Sequence, residues 1–151
     1  MIRTIATNAT RRSVATLAAV LATLVLLAMP AAAEQTTEQA AIDVVNAFIA
    51  AWSTPGAGAA YLAPNASVRL IEDQPAIVGP DAFKAAFQSF MTPGVGIEVD
   101  TRETTAYGGI VVNRRVDTVK TAGKPDQVYP VVGVFVVRDG KIVEWVDYHD
   151  K

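Results

Sequence analysis

The sequence predicts an α+β fold in which N-terminal helices pack on a strongly curved, mixed but mainly antiparallel sheet. Helical periodicity is confined to the middle of the chain, whereas the second half alternates in the pattern of β-strands. Short turns that contain glycine join those strands, so strands that are neighbours along the chain are expected to pair. A curved sheet with helices across its open side forms a cone around an internal, largely apolar pocket.

The first 33 residues have the pattern of a secretory signal peptide. Three arginines form a positive amino-terminal region, and an apolar run from Val14 to Met29 follows. Small residues then suit cleavage near Ala33. The apolar run has 16 residues, which is short of the roughly 20 that cross a bilayer. We therefore expect an exported protein, periplasmic or secreted, whose mature domain covers residues 34–151.

Removal of that peptide leaves an acidic chain without cysteine. The peptide's three charges are all arginines, which leaves 10 basic against 15 acidic residues and a net charge of −5. This balance argues against nucleic acid and anionic membranes as partners. The lack of cysteine excludes a disulfide framework, a thiolate metal site and a cysteine nucleophile. With a single histidine as well, we expect no metal site.

The helical elements come first in the mature chain. Apolar side chains recur at three-to-four spacing from Thr36 to Trp52, and Thr36 with Gln39 fits a capping box. Ala57–Leu62 is predicted to form a short second helix. A further helix is predicted from Gly79-Pro80-Asp81 to Phe90, with the Asp81 carboxylate near the positive end of the helix dipole.

The remaining elements are strands. Val68–Ile71 and Pro75–Val78 are predicted as a short strand and an extended piece. Four long strands follow, at Ile97–Thr105, Ile110–Lys120, Val128–Val137 and Ile142–His149. Asp139-Gly140 joins the last two strands, and Asp-Gly between apolar runs is a strong hairpin signal because glycine accepts the positive φ of a tight turn.

Alternation along two of these strands brings charged residues to one face. If the bulky Trp145 points inward, Asp147 points inward too, because side chains two residues apart share a face. A buried carboxylate costs several kcal/mol unless it is paired. The guanidinium of Arg115 has enough donors to bind Asp117 and Asp147 together. The predicted pocket lining is Asn113, Arg115, Asp117, Asp147 and His149.

The second half of the chain resembles the limonene-1,2-epoxide hydrolase-like, or SnoaL-like, branch of the nuclear transport factor 2-like superfamily, the cystatin-like α+β barrels. The likeness covers roughly Thr36 to Asp150, and its specific part is the last 40 or so residues. The matching segments are Arg115-Val116-Asp117, Gly133-Val134-Phe135, Asp139-Gly140-Lys141-Ile142 and Trp145-Val146-Asp147-Tyr148-His149-Asp150.

This resemblance implies cofactor-free hydrolysis of a small hydrophobic epoxide. Asp147 falls at the family's general base, which deprotonates the attacking water, and Asp117 falls at the general acid, which protonates the oxirane oxygen. Arg115 would hold both carboxyl groups. The physical chemistry agrees, because two carboxylates in an apolar pocket cannot both ionise cheaply, so that one keeps a proton.

The chain departs from that family on an early strand. A tyrosine and an asparagine that help to hold the water there fall, by counting back from Gly79, on Arg69 and Ile71. If Arg69 points inward, its charge would lower the pKa of both carboxyl groups. The predicted substrate-binding residues are Arg69, Ile71, Asn113, Trp145 and His149.

Other interpretations of the same residues stay open. Asp147 or His149 could abstract a proton beside a carbonyl, as in polyketide cyclases and ketosteroid isomerases. The domain could instead be a non-catalytic module that binds a small anionic ligand through Arg69 and Arg115, or that dimerises. The Arg115 ion network could also serve only to hold the cone together. The resemblance itself implies a homodimer.

Overall fold

The computed structural model describes residues 37–54 and 56–149, all within one compact unit. The predicted signal peptide, its cleavage position and the cap at Thr36 lie outside these residues. Helix α1 covers residues 37–50 and continues into a 3₁₀ turn at Ala51–Ser53. Its buried face carries Val45, Phe48 and Ile49, and Trp52 is buried in the turn. The predicted spacing therefore does form one apolar stripe.

The segment after α1 differs most from the prediction. The predicted short second helix is a 3₁₀ helix at Ala57–Tyr61, but β1 follows it directly at Leu62–Arg69. We expected this strand at Val68–Ile71, because Pro64 and Asn65 look like strand breakers. Both are exposed in β1, where the pairing with the last strand shifts register, and such an irregularity tolerates proline.

Helix α2 and the small strand β2 follow the predicted pattern. Strand β2 is Ile77–Val78 and pairs antiparallel with β1. Helix α2 is Pro80–Phe90, with proline in its first turn and Phe83 and Phe87 buried. Gly79 precedes the helix with φ of 83°, a conformation that favours glycine. Within the described residues neither helix has the length and apolar character needed to cross a membrane.

The other strands form a meander. They are β3 at Val95–Tyr107, β4 at Ile110–Thr121, β5 at Gln127–Arg138 and β6 at Lys141–His149. The order across the sheet is β2-β1-β6-β5-β4-β3, and only β1 and β6 are parallel. The β5–β6 turn has positive φ at Asp139 and Gly140, as a tight hairpin requires. The α+β prediction is confirmed, with two helices packed on a curled, mixed sheet.

Aromatic side chains fill the space between the helices and the inner face of the sheet, the face that carries Trp145. The Trp145 ring stacks on Phe135 from the neighbouring strand, with 5.6 Å between centroids. Phe48 of α1 meets both rings edge-on, at 5.1 and 6.1 Å. This cluster closes the inner face around Trp145, so that Asp147, two residues further along β6, faces the remaining interior.

Candidate active site

Three neighbouring strands place the polar residues on the inner face. Strands β4, β5 and β6 lie side by side, and their register aligns Asn113 with Gly133 and Gly133 with Asp147. Directly paired residues point to the same side of a sheet. Because Gly133 has no side chain, the side chains of Arg115, Phe135 and Asp147 can lie directly over its backbone.

Arg115 joins the two carboxylates. Its side chain is fully buried, and Asp117 and Asp147 are only 7% and 4% exposed. The Arg115 Nε–H group donates to both Asp117 oxygens, at 3.0 and 3.1 Å, and Nη2–H donates to Asp147 Oδ2 at 2.5 Å. The structure thus brings together the three residues on which the sequence prediction depended. Such charge-assisted hydrogen bonds are the strong ones.

Asp147 accepts a second hydrogen bond. The Trp145 indole Nε1–H group, two residues back on the same face, donates to Asp147 Oδ1 at 2.6 Å. Burial raises the pKa of Asp147, and the Arg115 charge and the two hydrogen bonds oppose that rise. The negative charge of Asp117 raises the pKa of Asp147 further. Asp147 therefore holds a proton more readily than a carboxyl group in water.

Asp117 is shifted in the same direction. Burial raises its pKa, while the nearby Arg115 guanidinium and, when protonated, His149 oppose the rise. Two carboxyl groups with raised pKa values that share one guanidinium favour a state in which one of them carries a proton.

Two further residues complete the surroundings of Arg115. The Arg115 Cζ atom lies 5.0 Å from the centre of the Trp52 ring, a cation–π arrangement. A Cβ atom on Gly133 would lie 2.6 Å from Arg115 Nη1 and 2.9 Å from Asp147 Oδ1. The sequence interpretation missed Gly133, although an isolated glycine in a valine-rich strand is a signal of close approach.

A cavity of about 630 Å³ lies between α1 and β3. Much of its lining is apolar, including Ile42, Ile49 and Trp52. Its wall on β3 is built from direct strand partners of the site residues. These pairs are Val99 with Asp117, Thr101 with Arg115 and Thr104 with Asn113. The cavity therefore lies one strand away from the carboxylates, and Trp52 both lines it and lies beside the Arg115 guanidinium.

The predicted positions of Arg69 and Ile71 beside the carboxylates are corrected by the structure. Arg69 pairs with Val146 and lies 3.8 Å from the Glu144 carboxylate, on the outer face. Ile71 follows the end of β1 and is 47% exposed. The inner-facing residue of β1 here is Val68, which pairs with Trp145. The count back from Gly79 gave a position along the chain but not the strand register, and a shift of one residue turns a side chain to the opposite face.

His149 lies at the end of β6, beside a loop residue. Its Nδ1 atom is 3.8 Å from Glu72 Oε2, which is too long for a hydrogen bond. The pairing of His149 with Val131, itself the partner of Arg115, places it in the Arg115 row of the sheet. Across residues 37–54 and 56–149 no group of His, Cys, Asp and Glu side chains is placed to hold a metal ion.

The chain is similar in sequence and in fold to several known proteins. Residues 39–151 match the family model of the limonene-1,2-epoxide hydrolase catalytic domain. An LEH-like epoxide hydrolase from M. tuberculosis is 29% identical, with a TM-score of 0.67 over 75% of this chain and 84% of that one. A candidate polyketide cyclase from Xanthomonas campestris is 25% identical, with a TM-score of 0.62 over 76% and 93%. No curated protein matches the sequence.

Proposed function

Because the chain belongs to the limonene-1,2-epoxide hydrolase catalytic-domain family, we propose that it hydrolyses a small hydrophobic epoxide to a diol without a cofactor. The observation that carries this proposal is the buried guanidinium of Arg115, which donates hydrogen bonds to Asp117 and Asp147 at once. A general acid and a general base held by one cation, next to a cavity, have the parts that the reaction needs.

The proposed reaction is a single displacement. Asp147 removes a proton from water while the water oxygen bonds to one oxirane carbon. The carbon–oxygen bond of the ring at that carbon breaks, and the oxirane oxygen takes the proton of Asp117. The sum is the addition of one water molecule across one C–O bond. Transfer of a proton from Asp147 back to Asp117 restores the starting state.

The hydrogen bonds support this assignment of roles. Among the described residues, Asp147 accepts from Arg115 and Trp145, whereas Asp117 accepts from Arg115 Nε alone. Hydrogen bonds to the charged form of a carboxyl group favour that form. Asp147 is therefore the better candidate for the ionised base, and Asp117 for the protonated acid.

The cavity limits the substrate class. About 630 Å³ suits a small organic molecule, and Ile42, Ile49 and Val99 offer apolar contact. We therefore expect an epoxide with a hydrocarbon body rather than a charged one.

Diol formation from a panel of small apolar epoxides in ¹⁸O-labelled water tests the proposal. The wild-type chain should place one label in each diol. Asp147→Asn and Asp117→Asn should each reduce turnover by at least about 100-fold, with the fold retained by circular dichroism. Asp81→Asn is the matched control, since this exposed residue lies in the first turn of α2 and does not line the cavity. Full activity in both site variants would exclude the mechanism.

A proton transfer beside a carbonyl is the second candidate, favoured by the raised pKa of Asp147 and by the likeness to the candidate polyketide cyclase. Exchange of acidic C–H protons of carbonyl compounds in deuterated water, lost in Asp147→Asn, would support it. Absence of exchange together with diol formation would exclude it.

Export and self-association are further parts of the proposal. The pattern of residues 1–33 supports a signal peptide, and amino-terminal sequencing of the exported protein should begin at Glu34. Val132 and Tyr148 are partly exposed apolar residues of the outer face, which supports a homodimer through the sheet. Light scattering on the purified mature chain should give the mass of two copies.

A further inference from the structure

Two buried polar atoms on the inner-facing residues of β4 have no hydrogen-bond partner among the described residues. They are Oδ1 of Asn113, an acceptor, and Nη1 of Arg115, a donor. Both residues are at most 1% exposed. Buried polar groups nearly always have partners, and leaving one without a partner costs about 1–3 kcal/mol. Together these atoms call for a group that accepts one hydrogen bond and donates another.

Both atoms belong to residues that neighbour Gly133 on β5. Arg115 Nη1 and Asp147 Oδ1 are 2.6 and 2.9 Å from the point where a Gly133 Cβ would be. Asn113 is the direct cross-strand partner of Gly133, and side chains of such partners begin about 5 Å apart. One donor and two acceptors therefore belong to adjoining residues of the inner face.

The orientation of the Asn113 amide follows from a chain of hydrogen bonds. Its Nδ2 group donates to Thr104 Oγ1 at 2.8 Å, and the Thr104 hydroxyl donates to Asn46 Oδ1 at 3.3 Å. Since the amide nitrogen is held toward Thr104, the amide oxygen is directed away from that bond. Thr104 and Asn46 line the cavity between α1 and β3, so the chain of hydrogen bonds reaches the proposed substrate space.

We infer that Asn113 Oδ1 and Arg115 Nη1 hold the attacking water against Asp147, and that Thr104 and Asn46 are positioning residues for Asn113. The water would accept from Arg115 and donate its two hydrogens to Asn113 and Asp147. One oxygen lone pair is then left for an oxirane carbon. This inference rests on the proposed function.

Strand β1 and the residue after it offer no polar side chain that could hold this water. The residue of β1 beside Trp145 is Val68, and the next inner-facing residue, Leu70, packs against the apolar core. Neither can hydrogen-bond a water. Among the described side chains near Asp147, Asn113 is the neutral acceptor with an unused oxygen.

Kinetics of two variants test the role of Asn113. Asn113→Leu keeps the side-chain size without the acceptor, and it should lower kcat by about 100-fold with little change in KM. Thr104→Val should lower kcat in the same way but less, because the amide is then free to turn, and Thr104→Ser should restore it. Thr105→Val is the matched control, since Thr105 is exposed and points to the outer face. Unchanged kcat in Asn113→Leu, with wild-type turnover present, would overturn the inference and leave the hydrolase proposal standing.

A crystal structure at near-atomic resolution tests the site without turnover. We expect an ordered solvent oxygen within hydrogen-bond distance of Asn113 Oδ1 and Arg115 Nη1 in the wild-type chain, and its loss in Asn113→Leu. A site without that oxygen would overturn the inference. A wild-type chain that holds the oxygen but turns over no epoxide would support the water site and overturn the proposed function.

Discussion

Arg115 lies directly over Gly133, with its Nη1 atom 2.6 Å from the place that a Cβ on this glycine would occupy. Gly133 belongs to β5, between the strands that carry Arg115 and Asp147. The guanidinium can reach Asp147 because no side chain stands between the strands. One missing methyl group is thus a condition for the contact between Arg115 and Asp147.

Gly133→Ala should therefore break the site. The added methyl group would displace the Arg115 guanidinium from Asp147, and crowding a packed interior costs about 1–3 kcal/mol. We expect a loss of stability of that order in urea unfolding, together with loss of any epoxide turnover. Gly96→Ala is the control, since Gly96 lies on β3 with nothing within 4 Å of the added atom. Equal effects of the two substitutions would contradict the steric account.

Trp145→Phe should move the pH dependence of activity. The substitution keeps most of the ring that stacks on Phe135 but removes the hydrogen bond to Asp147 Oδ1, which lowers the pKa of that carboxyl group. The pKa of Asp147 should rise, and the acidic limb of kcat/KM should shift to higher pH. Trp52→Phe is the comparison, because Trp52 Nε1 has no hydrogen-bond partner within the described part of the chain. It should leave that limb in place, whereas a similar shift in both variants would exclude the proposed cause.

The buried carboxyl groups should make stability depend on pH. The pKa of Asp117 and of Asp147 is raised from about 3.8 on folding, so the native state binds more protons than the unfolded state above that pH. Their contribution to stability is therefore full below pH 3.8 and is lost as pH rises through the native pKa values.

Urea unfolding of the wild type and of Asp147→Asn across this pH range measures that loss. The variant cannot ionise at position 147, so the wild type should lose stability relative to it as pH rises. A difference that stays constant, or that changes in favour of the wild type, would contradict the raised pKa values.

Substitutions of Arg69 and Arg115 should lower the stability of the fold to very different extents. Arg69→Ala removes a half-exposed cation 3.8 Å from Glu144, and such surface pairs contribute at most about 1 kcal/mol. Arg115→Met leaves two buried carboxyl groups without their cation, which costs about 3–5 kcal/mol when one partner of a buried pair is removed. Thermal unfolding should show a small shift for the first variant and a large one for the second. A loss of epoxide turnover in Arg69→Ala would show that this residue acts at the site after all.

Much of the site could be predicted from local pattern. Alternation along β4 and β6 placed Arg115, Asp117 and Asp147 on one face, and the donor geometry of a guanidinium suggested that one cation would join both carboxylates. The Asp139-Gly140 turn and the start of α2 at its proline could also be predicted, because both depend only on residues that are neighbours along the chain.

The sequence by itself determined the fold class, the polar set of the inner face and the pairing of its charges, since these follow from periodicity and from the cost of burying a charge. Only the tertiary structure decided that Arg69 points outward, that Gly133 opens the way for Arg115, and that Thr104 orients Asn113. Those outcomes depend on strand register and on contacts between residues distant along the chain. Register is set by the packing of the whole sheet, where a shift of one residue exchanges the two faces.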